Sequence, residues 1–472
     1  MSFIDTLIII IFLTATVIFG LMQRKYNRST DDYFLADRKL PWWMSMFSIV
    51  ATETSVLTFI SVPGLAYRGD WSFLQLAMGY ILGRILVARF LLPGYYRSGV
   101  TSIYETLNEK FGLVIQRSAS LLFLITRVLA DGVRFLATAA IVQVITGWSI
   151  TASVLVIGVV TLIYTFSGGI RAVVWIDSFQ FILYLSGAII SILFIVMTVD
   201  KSSISFLSNA LDTGRLNIFR FDGNIFFTPL NFFSAFIGGA LLSFGSHGAD
   251  YLMVQRVLGC KNLSHAKKAM VGSGIFVFIQ FTLFLLAGTL LFHFMDGAVL
   301  EKDREFSTFI VNYLPVGLRG ILLAGVLSAA MSTLSSSMNA LASSTVMDWF
   351  KSRATLKFSK IVSLFWAGVL MTVALLFDES NDQVVVVGLK IASFTYGALL
   401  SLFILEKLPW IIHRVAIFTG LFGSIAVVFL LQHVGIAWTW YIAISVLTNL
   451  TVVIFIQKII KCFIKNDLSR TN

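Results

Sequence analysis

Charge is what this chain is short of. Lys, Arg, Asp and Glu together make up 12% of its 472 residues, about half of what a soluble globular chain carries. That deficit excludes an ordinary soluble domain and leaves either many buried helices or many membrane spans. Proline is scarce as well, with six residues, so long proline-rich linkers are excluded. Two cysteines, Cys260 and Cys462, provide neither a disulfide framework nor a C-x-x-C spacing. The five histidines (His247, His265, His293, His413, His433) are dispersed. With no H-E-x-x-H spacing, a membrane-embedded metalloenzyme has little support, and no catalytic residue or organic cofactor is expected.

Apolar residues are what the chain has instead, at 57% of the total. A span of about 20 residues fits the opening run within residues 1–22. It fits again near 43–65, 73–96, 118–146, 149–168, 174–198, 231–252, 269–295, 317–347, 358–377, 383–405, 412–431 and 437–457. Thirteen spans are predicted. The first has its cations after it, in "QRKYNRS", the reverse of a cleaved signal peptide. It is therefore expected to be retained, with the N-terminus outside and the C-terminus cytoplasmic in the cell membrane.

The distribution of cations tests that topology. Alternation puts 23 of the 35 Lys and Arg residues in inner segments and 7 in outer ones, as the positive-inside rule requires. The formal charge of +11 is then an orientation signal, with some attraction for anionic inner-leaflet lipids. A nucleic-acid reading needs a basic face interleaved with stacking aromatics, and none is present. The expected partners are the lipid bilayer and a small polar solute. Nucleic acid is not among them, and the monomer is the expected functional unit.

Ionisable groups at bilayer depth are costly and mark function by default. Glu53, Asp131, Asp177 and Asp250 are the acids there; Arg84, Arg89, Arg127, Arg134 and Lys390 are the cations. Bland readings compete. Arg84 and Arg89 can snorkel to the inner surface, Asp250 can be a helix-end residue, and Glu53, Asp131, Arg134 and Lys390 can simply pair with one another. Two spans look interrupted, at "SIVATETSVLTFISVPG" and at "FIGGALLSFGSHGADYLM". Each opens a set of five spans. Broken helices at equivalent places in two inverted halves form the binding sites of transporters; the plain alternative is small-residue helix packing.

The densest polar feature is "SAAMSTLSSSMNALASS", Ser328 to Ser344, with five hydroxyls in six residues. At 100° per residue Ala329, Ser332, Thr333 and Ser336 share one face, and Ser335 lies on the next. Back-bonding to the i−4 carbonyl would account for one or two hydroxyls. The other reading is coordination of a small hard cation by neutral oxygens. Carbonyls near Ala51 and Thr54 would complete the cage, and Asp177 with Ser332, Ser335 and Ser336 would offer a second one.

The segments "DDYFLADRKLPWW", "YTFSGGIRAVVWIDSFQ", "HGADYLMVQRVL" and "LSAAMSTLSSSMNAL" together resemble the sodium:solute symporter family, in order and spacing over nearly the whole chain. The resemblance implies an all-α integral membrane protein with a leucine-transporter-like five-plus-five inverted repeat. One helix would precede the repeat (1–22) and two follow it (412–457), around repeats at 43–198 and 231–405, with a tail at 458–472. It implies Na+ as the coupling ion, one or two per cycle. The main sodium site would fall on carbonyls of Ala51 and Thr54 with Ala329, Ser332 and Thr333, and a second on Asp177, Ser332, Ser335 and Ser336. Family sugar carriers use amides and a glutamate where this chain has Glu53, Ser55, Thr58 and Gln75. Sialic acid carriers use hydroxyls with an arginine, which Arg134 matches approximately. Asp131, Ser243 and Lys390 complete the candidate solute residues. The expected activity is sodium-coupled uptake of a sugar, sialic acid or other organic acid by alternating access. A channel and a proton-coupled symporter of the same fold are the alternatives.

Overall fold

The computed structural model describes residues 2–198, 210–376 and 384–470, and the described residues form helices joined by turns and loops. The long helices are α1 (Phe3–Gln23), α2 (Trp42–Glu53), α3 (Val56–Arg68), α4 (Leu74–Leu86), α5 (Leu113–Thr146), α6 (Ile150–Thr198) and α7 (Phe232–Gly248). They continue as α8 (Tyr251–Leu258), α9 (Leu263–Phe294), α10 (Leu318–Ser344), α11 (Leu356–Leu376), α12 (Val384–Lys407), α13 (Arg414–Val434) and α14 (Tyr441–Arg470). Among the described residues nine helices are long and apolar enough to cross a membrane, or ten if the bent pair at α2–α3 is one span.

That count differs from thirteen apolar runs for identifiable reasons. The runs at 149–168 and 174–198 join into α6, which has 49 residues. At a rise of 1.5 Å per residue such a helix would be about 73 Å long, more than twice the hydrocarbon core. Gly169 breaks it, with φ 56° and ψ −158°, a conformation essentially reserved for glycine. The run at 231–252 is divided between α7, only 17 residues long, and α8. The run at 383–405 begins at the edge of the described residues.

Side-chain chemistry fixes several helix ends. Asp5 on α1 accepts from the amides of Gly317 (2.9 Å) and Gly320 (3.0 Å), so one helix caps the start of another and satisfies its orphan donors. Lys110 does the converse for α12, donating to the carbonyls of Leu405 and Glu406, each at 2.9 Å. Loop contacts sort into two ends. At one, Arg68 pairs with Asp303 (3.1 Å) and Glu305, and Arg220 with Asp70 (2.9 Å). At the other, Arg38 donates to the carbonyls of Gly99 and Val100, and Lys351 pairs with Glu105.

The helix of hydroxyls, α10, runs through the middle; every residue from Leu322 to Ser344 is buried. Close packing also marks the contact between α4 and α7. A Cβ on Gly79 would lie 2.2 Å from the Phe236 carbonyl, and one on Gly239 2.4 Å from that of Leu76, so only glycine permits the α4–α7 approach.

Candidate ion and solute site

The α2–α3 pair bends by 62° at its break. Its backbone explains why. Thr54 N–H bonds to Val50 O (2.9 Å) and Ser55 N–H to Glu53 O (3.1 Å), so the amides that would close on Ala51 O point elsewhere. Helix α3 starts its own ladder beyond the break, Phe59 N–H to Ser55 O (3.2 Å). The carbonyls of Ala51 and Thr54 therefore stand at an unwound junction, the arrangement that membrane proteins reserve for protein-lined or ion-binding positions. Gln280 holds the Thr54 hydroxyl at 2.9–3.1 Å.

Opposite the break lies α10, tied to it by a 3.0 Å contact between the Thr52 and Ser336 hydroxyls. Back-bonding accounts for part of the cluster. Thr333 and Ser336 donate to the carbonyls of Ala329 and Ser332, and Ser335 to that of Ser332. Ser332 is the exception: its buried Oγ makes no hydrogen bond of ordinary geometry.

Asp177 lies alongside, fully buried, accepting from Ser48 at 2.6 Å. Arg256 belongs to the stretch "QRVLGCKNLSHAKK", whose cations count among the 23 of inner segments. In the fold it is fully buried and stands 3.5 Å from Asp177 Oδ2, donating also to Ser48 (2.9 Å) and to Ser336. The place proposed for a second cation thus already holds a guanidinium. What remains is Ser332, beside the carboxylate, and Asp177 Oδ1, which makes no hydrogen bond of ordinary geometry among the described residues. No group of three or more His, Cys, Asp or Glu suited to a metal occurs among the described residues.

The candidate solute residues divide. Glu53, Ser55, Thr58 and Arg134 line one cavity, together with Tyr80, His247 and Tyr396. Ser55, Asp131 and Arg134 line a smaller one that adjoins Thr333. Gln75 is elsewhere: its amide bonds the carbonyls of Ser72 and Leu230 and accepts from Arg220 N–H, so it ties down a loop. Ser243 lines neither cavity and packs against Gly83. The Lys390 side chain lies outside the described residues.

Charges in the cavity are mostly committed. Arg84 does not snorkel; it is fully buried, pairs with Glu53 and donates to Ser273 at 2.6 Å. Arg127 lies 3.2 Å from Asp250 and donates to Tyr396 at 2.6 Å. Asp250 also caps α8, so its helix-end reading holds beside the ion pair. Arg134 is different. Among the described residues its one contact of this kind is Asp131 at 3.4 Å, and its side chain keeps 14% exposure. A guanidinium offers five donors, more than the Asp131 contact takes up, and Arg134 lines the cavity.

Comparisons with known proteins agree with this architecture. The family model described as "Sodium:solute symporter family" matches residues 33–410. The chain is 29% identical over 401 residues to the human sodium/iodide cotransporter, covering 81% of this chain and 62% of that protein. Similarity to human sodium-coupled monocarboxylate transporter 2 is 28% over 406 residues, covering 82% and 65%. Similarity to the sodium/sialic acid symporter NanT of Aliivibrio fischeri is 28% over 352 residues, covering 72% and 68%. The chain spans just under two thirds of the length of the first two. Among solved structures, a Na+-coupled sialic acid symporter in a substrate-bound outward-open state superposes with a TM-score of 0.87 at 22% identity, covering 97% of this chain and 98% of that one. A nucleobase-cation-symport-1 family transporter gives 0.55 at 14% identity, covering 91% and 95%. At those identities the likeness is one of fold.

Proposed function

The chain belongs to the sodium:solute symporter family, and from that premise we propose that it carries a small organic anion across the membrane with sodium. The observation that carries the choice of cargo is Arg134, a cavity-facing guanidinium with spare donors beside Ser55 and Thr58. Glu53, the acid that a neutral sugar would need, is engaged by Arg84, and Gln75 does not line the cavity, its amide being bonded to backbone carbonyls. Iodide, monocarboxylates and sialic acid, the solutes in the relatives' names, are all anions at neutral pH. That chemistry suits an arginine anchor.

The coupling cation would bind between the unwound carbonyls of Ala51 and Thr54 and the α10 residues Ala329, Ser332 and Thr333. Neutral oxygens replace its hydration shell and hold it weakly enough for release. Asp177 with Ser332, Ser335 and Ser336 would form a second, weaker position. Binding pins the α2–α3 junction, and rocking of one half against the other then exposes the cavity to the inside. The membrane potential contributes about 2.3 kcal/mol per charge per 100 mV. Thirteen crossings in a five-plus-five inverted repeat, with the N-terminus outside, account for the break in α6, the division at α7–α8 and the sorting of loop contacts to two ends.

Uptake into proteoliposomes tests this. Pyruvate, sialic acid, iodide and galactose would each be offered with inward sodium or choline gradients. Saturable, sodium-driven uptake of pyruvate or sialic acid is the expected result. Sodium-independent flux, or sodium-driven uptake of galactose alone, would overturn it.

A further inference from the structure

One hydrogen-bonded bridge joins the candidate solute anchor to the candidate sodium helix, and it centres on a residue that the sequence placed in neither. Ser337 lies on α10, one turn beyond Thr333. Its hydroxyl donates to Asp131 Oδ2 on α5, and it lies 3.1 Å from the Thr333 carbonyl. The other carboxylate oxygen, Asp131 Oδ1, is shared by Arg134 at 3.4 Å and Arg127 at 3.5 Å. Asp131 and Ser337 are both buried, while Thr333 and Arg134 line the same small cavity with Ser55. A single carboxylate thus leans on the turn that carries Ser332 and Thr333 with one oxygen and on the anion anchor with the other.

That arrangement has an energetic consequence. A buried carboxylate must keep its partners, because an uncompensated charge in a low-dielectric interior is expensive. A solute anion docking on Arg134 competes with Asp131 for that guanidinium, which shifts the carboxylate's reliance towards Arg127 and Ser337. A cation at Ser332 and Thr333 fixes the turn from which Ser337 projects, and so fixes Asp131 before the solute arrives. Each ligand lowers the cost of ordering that the other would otherwise meet, and the effect is reciprocal by linkage.

We propose that the Asp131–Ser337 contact is the positioning element through which sodium sets the affinity for the anion. The inference rests on the symport reading above. Neither residue needs to touch sodium, and Ser337 needs to touch neither ligand.

The test is the dependence of the anion's KM on sodium, measured in proteoliposomes with radiolabelled pyruvate and N-acetylneuraminate, alongside the thermal shift given by sodium without solute. In Ser337→Ala the sodium-induced thermal shift is expected to persist. The factor by which sodium lowers KM is expected to shrink at least about five-fold, the lower range of measured coupling factors. Ser337→Thr, which keeps the hydroxyl, should restore it. Ser337→Cys, with near-native volume and a weak donor, should behave like the alanine variant and serves if that variant does not fold. A sodium dependence of KM unchanged in folded Ser337→Ala or Ser337→Cys overturns the proposal while leaving symport intact. Wild-type uptake that ignores sodium overturns the symport reading instead, and this one with it.

Discussion

Arg256 Nη2 stands 3.5 Å from Asp177 Oδ2 where both side chains are fully buried, so the chain brings its own cation into the hydroxyl cluster. Removing one member of a buried pair costs about 3–5 kcal/mol, because the survivor is left uncompensated. A small cation beside Asp177 would offset part of that loss. Arg256→Gln should therefore melt well below the wild type in choline buffer, and sodium should raise its Tm by more than it raises the wild type's. Equal sodium shifts in the two proteins would show that no cation reaches Asp177.

Ser332 offers the converse experiment. Its Oγ is buried and lacks a hydrogen bond of ordinary geometry, so deleting it breaks no strong contact in the sodium-free protein. Ser332→Ala should leave the Tm in choline within about 1 kcal/mol-equivalent of wild type, since removing an unmade bond costs little. Sodium should then fail to stabilise the variant, and sodium-driven uptake should be lost. Undiminished stabilisation by sodium would remove Ser332 from the ion site.

Arg134 sets the scale for the cargo. Charge-assisted hydrogen bonds contribute about 1.5–3 kcal/mol, so Arg134→Gln should raise KM for the transported anion by roughly 10- to 150-fold. Arg134→Lys keeps the charge but loses the planar fork and should fall between. A KM that stays within two-fold of wild type in Arg134→Gln would move the anion elsewhere in the cavity.

The sequence carried the all-helical class, the apolar runs and the polarity of α10, because span length and hydroxyl density are local properties. The break between α2 and α3 was legible for the same reason. Partnerships over long separations were not. Arg256 sits in a basic stretch that satisfies the positive-inside pattern, and nothing in its neighbours marks it as buried against Asp177. Arg84 looked free to snorkel, yet its guanidinium turns inward onto Glu53 of α2 and Ser273 of α9. Gln75 had the right residue type in the right span, and only the backbone of Ser72, Arg220 and Leu230 shows that its amide is spoken for. Asp5 as the cap of α10 joins residues more than 300 positions apart.

Cys260 gives a prediction about pH. Burial raises its thiol to about 11, with Ser45 Oγ 3.3 Å from the sulfur opposing that only in part. The neutral thiol is favoured in the fold, so at pH 8 only about one molecule in a thousand carries the reactive thiolate. In a Cys462→Ser background, folded protein should resist maleimide from pH 7 to 9, and unfolding should expose a single reactive thiol. Rapid modification of the folded protein would mean that the segment after α8 opens readily.

Gly169 tests the reading that α6 is two helices. Its backbone lies at φ 56° and ψ −158°, and a Cβ there would meet the Tyr33 carbonyl at 2.6 Å. The backbone strain alone costs about 1–3 kcal/mol for a residue with a side chain, and the clash with an immovable carbonyl adds to it. Gly368 on α11 is the matched control, since it has a helical backbone and no atom within 4 Å of an added Cβ. Gly368→Ala should be neutral or stabilising by about 0.5–1 kcal/mol, the helix-propensity difference between the two residues. Gly169→Ala should lower the Tm and the folded yield together. If both substitutions were equally benign, α6 would tolerate an unbroken helix at 169, and the two crossings assigned to it would lose their hinge.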